Sequence, residues 1–176
     1  MKYPVFALFA LCVFLMAACQ GGGGADTSNA TPTITDPNQL NEEIMIEIIA
    51  AKAMTNKYDS TFQKTMLFVR KMKQSVSGLG EEKKKQVMKV HEGIRVFTDP
   101  YEILLNGTVQ LEALSVKLSA GSANVVDVQK EFEPLKKDME LATKQLAAAQ
   151  VDFAALEAKF ERIFTEANQQ AAEKGQ

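Results

Sequence analysis

The sequence is poor in the residues on which most catalytic sites depend. It has one histidine, His91, and two cysteines, Cys12 and Cys19, in 176 residues. No CxxCH segment occurs, which excludes the usual covalent haem attachment. No glutamate lies three residues before His91, which removes the Glu-x-x-His pairing of di-iron bundles. A catalytic triad would rest on His91 alone, and the small-residue turns carry no nucleophile motif. There is no glycine-rich phosphate loop. Proline is also scarce, at five residues, so few positions oppose long helices. The formal net charge is only -2, a mild acidity that gives no reason to expect a nucleic acid partner. Long apolar runs are missing too. Val5 to Ala18 is uncharged and apolar over fourteen residues, short of the roughly 20 that a spanning helix needs.

That run is what the amino end does offer. Lys2 supplies the positive start and "VFALFALCVFLMAA" the h-region of a secretory signal peptide. Cys12 lies inside it and would leave with it. The next feature is "MAAC" at 16–19, with small residues Ala17 and Ala18 before Cys19. It resembles the lipobox of bacterial lipoproteins, with Met16 where the family usually has Leu. The resemblance covers only the export segment. It implies a diacylglycerol on the Cys19 thiol, cleavage before Cys19, and a further fatty acid, such as palmitate, on the new amino group. Gln20, where an Asp would signal inner-membrane retention, implies an outer-membrane destination. One acyl chain alone binds reversibly, whereas several on Cys19 would hold the protein durably. The lipid bilayer is then one partner, through acylated Cys19.

Residues 1–18 therefore read as signal peptide, 19–39 as lipidated cysteine and flexible linker, and 40–176 as a helical bundle domain. The linker, "QGGGGADTSNATPTITDPN", is rich in Gly, Ser, Thr, Asn and Pro. As a random coil it would average on the order of 25 Å end to end.

Three apolar stripes follow at four- and three-residue steps. The first runs from Ile44 through Ile48, Ala51, Thr55, Tyr58, Phe62, Thr65, Val69 and Met72 to Leu79, opened by Asn41, Glu42 and Glu43 and closed by "SGLG". The second runs from Val87 to Leu118, with Glu81 and Glu82 at its start, where the helix dipole favours acids. Asp99-Pro100 interrupts its backbone but not its phase, so this helix either kinks at Pro100 or splits there. Asn106-Gly107 is a second weak point, although no strand alternation flanks it. "SAGSAN" marks a turn. The third stripe, from Val128 through Phe132, Leu146, Phe153 and Phe160 to Ala167, is apolar at every step. Asp127 reads as the cap, and Pro134 lies one turn inside. Glu133 with Lys137, and Glu140 with Lys144, have favourable i,i+4 spacing.

The expected fold is all-α: an elongated antiparallel three-helix bundle with coiled-coil-like packing, or four helices if Pro100 splits the second. Met45, Ile49, Met66, Leu67 and Phe68 lie off the first stripe and either complete the core or form a patch for another chain. Met54, Met66, Met72, Met88 and Met139 read as core filling. Thr55 and Thr65 read as hydroxyls bonding back into their own helix. Lys83, Lys84, Lys85 and Lys89 read as a solvated helix start, and His91 as a partly exposed helix residue. Glu112 lies near the apolar face without an acidic mate. No catalytic, cofactor or metal site is expected, and Cys19, as the lipidation site, is the one functional residue. The expected role is non-catalytic: a lipid-anchored cell-envelope protein that scaffolds, adheres or assists a complex with an envelope protein partner. The alternative is a binding module for a lipid or small apolar ligand between helices, with the Phe153–Phe160 region as its place.

Overall fold

The computed structural model describes residues 34–174, and all the regular structure there is helical. Four helices follow in order: α1 (Pro37–Val76), α2 (Glu81–Ser119), α3 (Val125–Ala148) and α4 (Phe153–Lys174). The expected signal peptide, Cys19 and most of the expected linker fall outside the described residues.

Helix α1 begins earlier than its apolar stripe. Asp36 accepts from the Asn38 N–H at 2.9 Å, and Pro37 fills the first helical position, where its missing donor costs nothing. "DPN" is thus a cap and a first turn rather than the end of the linker. Just ahead of this cap, the Ile34 N–H donates to Gln129 Oε1 of α3 at 3.0 Å.

Helix α2 passes through both expected weak points without a break. Pro100 is buried in the helix interior, so its packing offsets the hydrogen bond that the Val96 carbonyl loses. Gly107 is no turn: it is buried where α3 crosses closely, and a Cβ there would lie 2.5 Å from Met139 Sδ. The true turn follows α2. There Gly121 takes φ +61°, and the Gly121 and Ser122 N–H groups donate to Leu118 and Lys117 carbonyls. Asn124, three residues before the expected Asp127, caps α3 through the Val126 N–H at 2.8 Å.

The break that makes four helices lies in the third stripe, not at Pro100. Ala149 turns extended (φ -63°, ψ 106°), and Asp152 caps α4 by accepting from the Ala155 N–H at 2.9 Å. Helices α3 and α4 line the same flank of the α1–α2 hairpin, one after the other. Along α1 that flank carries Glu43, Glu47 and Ala50 toward α3, then Lys64, Phe68 and Lys71 toward α4. The topology is up-down-up, as the stripes predict, with the third rod in two pieces.

Each piece seals its own core. Leu40, Ile44 and Ile48 of α1 pack with Leu104 and Leu111 of α2 and with Phe132, Met139 and Leu146 of α3. Toward the other end, Phe68, Val69 and Met72 pack with Val87, Val90 and Ile94 and with Phe160 and Ile163 of α4. Aromatic rings fill the level of the break. Phe62 stacks on Tyr101 at 4.0 Å between centroids, while Phe97 meets Phe153 edge-on at 5.4 Å and Tyr58 at 6.0 Å. No helix among the described residues is long and apolar enough to cross a membrane.

Candidate functional site

Cys19 lies outside the described residues, so the structure places the remaining candidates. Thr55 donates to the carbonyl of Ala51 at 3.1 Å and Thr65 to that of Thr61 at 2.7 Å, so both hydroxyls are spent on their own helix. Thr108, in the second stripe, does the same to Leu104 at 2.7 Å. Glu112 reaches across to Lys52 of α1 at 2.7 Å. Lys83 pairs with Glu166 of α4, and this cation holds the Glu166 carboxyl below its usual range. Lys84 pairs with Glu81 at 2.8 Å, whereas Lys85 and Lys89 stand exposed with no ion pair among the described residues. Neither Glu133–Lys137 nor Glu140–Lys144 forms an ion pair; Lys136 instead spans to Glu47 of α1 at 3.5 Å. Phe153 and Phe160 point their rings into aromatic contacts with Phe97 and Phe68. Among the described residues no three His, Cys, Asp or Glu side chains gather as metal ligands.

The side of the hairpin away from α3 and α4 carries what remains. Three contacts define it: Lys52 with Glu112, Ser115 Oγ donating to Asn41 Oδ1 at 2.7 Å, and Ser115 Oγ near Met45 Sδ at 3.9 Å. On α1, Met45 and Ile49 flank Lys52 at helical spacing; on α2, Leu105, Val109 and Val116 flank Glu112. All five apolar residues are exposed, Ile49, Val109 and Val116 at 63–67%. Of the off-stripe residues on α1, Phe68 enters the core and Met66 packs against it, but Met45, Ile49 and Leu67 stay outside.

Farther along the same side, near the α1–α2 turn, Met72, Val76, Val87 and Met88 line an apolar recess of about 250 Å³, with Lys73 and His91 beside them. Met88 is 61% exposed, so it does not fill the core as expected. The reason is one of phase: it follows Val87, the inward residue, and so points off the seam. Its position one step off the stripe was the signal that could have found it. Sequence reasoning also missed the groove of about 570 Å³ at the α3–α4 break, lined by Pro100, Arg95, Asp99, Gln145 and Gln150. Its Arg95 is engaged by Asp99 at 2.7 Å one turn later on α2.

Comparison with protein-family models, with curated proteins and with solved structures finds no match for this chain.

Proposed function

We propose that this chain is a lipid-anchored, non-catalytic protein of the bacterial cell envelope, held in the outer membrane through Cys19. Its bundle serves complex assembly by docking an envelope protein on the open face of the α1–α2 hairpin. The observation that supports this reading is the set Met45, Ile49, Leu105, Val109 and Val116. Five apolar side chains lie exposed on the side of the hairpin that no helix of the described residues covers, while α3 and α4 pack along the other. Clustered exposed apolar residues on a soluble surface mark interaction sites. The hydroxyls and carboxylates nearby are committed to structural bonds, which favours a docking role over chemistry.

The anchor and the docking face are tested separately. Cys19→Ala should abolish fatty-acid labelling and stable membrane fractionation; a variant that still labels refutes the anchor. A photo-crosslinking residue at Val109 should give one reproducible protein adduct in the native envelope. The same residue at Lys137, exposed on α3, should not. Equal or absent adducts at the two positions would overturn the docking role.

A further inference from the structure

We infer that the recess between Met72, Val76, Val87 and Met88 binds a free single-chain carboxylate amphiphile, with its chain along these residues and its head at Lys73 and His91. This site lies at the far end of the open face from Val109 and Val116, and the inference does not depend on the docking role. The recess is closed from behind, because Met72 and Val87 belong to the core that Phe160 and Ile163 of α4 seal. Met72 forms a fixed floor at 2% exposure, while the exposed thioether of Met88 is a movable wall. At about 250 Å³ the space falls below the roughly 300–1,000 Å³ of sites for drug-sized ligands. A single hydrocarbon chain suits it better than a ring system.

The charge at the rim selects the head group. Of the six lining residues, two are ionisable, Lys73 and His91, and no carboxylate lines the recess. Lys73 is exposed and has no ion pair among the described residues; Arg70, one turn earlier on α1, is likewise exposed and unpaired there. By contrast Lys71, Lys83 and Lys84 are all engaged by glutamates. A carboxylate at the rim would gain a charge-assisted hydrogen bond from Lys73 without displacing an existing partner. A cationic head would meet like charge, and an uncharged one would leave Lys73 unanswered.

The test uses the full chain labelled with ¹³C at the methionine methyls and titrated below the micelle concentration with decanoate, decanol and decyltrimethylammonium. Decanoate should shift Met72 and Met88 saturably and leave Met45 and Met139 in place. Decanol should bind at least tenfold more weakly, and the cation should not bind. Lys73→Glu, a change at an exposed position that should keep the helical circular dichroism, should weaken decanoate at least tenfold, and Lys73→Arg should restore it. Equal affinity for the three heads, an unchanged Lys73→Glu, or shifts spread over all methionines would overturn the inference. So would shifts induced only by phosphatidylglycerol vesicles and not by free decanoate.

Discussion

Tyr101 shows how one polar atom is kept in a core of rings. Its ring is 2% exposed between Phe62 and Phe97, and its hydroxyl donates to Asp59 Oδ1 at 3.1 Å, across to α1. Burial, and then the bond to Asp59, push the phenol up to about 12. The neutral form is thus favoured in the fold relative to the unfolded chain, where tyrosine titrates near about 10. The stability tied to this group is complete below about pH 10 and is lost as pH rises toward 12. Tyr101→Phe should cost about 1 kcal/mol at neutral pH, the worth of one hydrogen bond. The variant should also lose the Tyr101 share of the alkaline decline. Urea midpoints of both proteins between pH 8 and about 11.5 check this, and parallel curves would refute it. Two glycines of α2 make a second residue-scale contrast. A Cβ at Gly107 would meet Met139 Sδ at 2.5 Å and Cγ at 2.7 Å, whereas one at Gly93 meets only the Leu156 methyls, at 3.2 and 3.6 Å. Alanine gains about 1 kcal/mol of helix propensity at either site. Overpacking at Gly107 costs about 1–3 kcal/mol, so Gly107→Ala should lower stability by up to about 2 kcal/mol. Gly93→Ala should leave it unchanged or raise it by up to about 1 kcal/mol, because the Leu156 tip can rotate away. The urea midpoint should fall for Gly107→Ala and stay or rise for Gly93→Ala, and a fall in both would refute the contrast.

At the scale of elements, the helices are set by caps and turns that single side chains supply. Asp36, Asn124 and Asp152 each hold a helix start through one backbone N–H. The third is the most consequential, because it begins α4 anew after the extended step at Ala149. Asp152→Ala should cost about 0.5–2 kcal/mol, and the loss should fall on α4. Hydrogen exchange should then quicken at the α4 amides while the α3 amides keep their rates; equal acceleration of both would show that the two helices open as one unit. Pro100 and Pro134 show that a helix interior accepts proline when the rest of the segment is packed, with Pro100 itself buried. Periodicity already pointed that way for Pro100, since the second stripe keeps phase across it. The same regularity hid the real break. Ala149 and Phe153 both contribute to the stripe, and Val151, between them, packs on the first core from the connection between the helices. An apolar count at helical steps registers no loss there.

Across residues 34–174, a long hairpin carries two shorter helices along one flank. Helix α3 buries Val128, Phe132, Met139, Ala142 and Leu146, while α4, among the described side chains, buries Phe160 and Ile163 alone. Its ion pairs to Lys71 and Lys83 are partly exposed and add little. In the unmodified protein α4 should therefore exchange its amides through a lower-energy opening than α3, and equal protection in both would contradict this. The opposite flank of the hairpin has no helix of the described residues over it, and that asymmetry produces both the apolar patch around Glu112 and the recess beside His91.

The amino-acid sequence by itself determined the helical class, the three stripes, the antiparallel course and the backward hydroxyl bonds of Thr55 and Thr65. These follow from local spacing, because inward residues recur every three or four positions and a buried threonine bonds within its own turn. The export segment and the acylated Cys19 that we propose also rest on the sequence alone, since such signals would be read before the chain folds. Only the tertiary structure decided that the third rod breaks at 149–152 and that Gly107 is a crossing point. It alone showed that Met88, Ile49 and Val109 remain outside. Each of these depends on which side of a helix a neighbour occupies. A stripe records that one side is buried, but three rods leave every helix a second apolar edge, and only their arrangement in space determines which edge is covered.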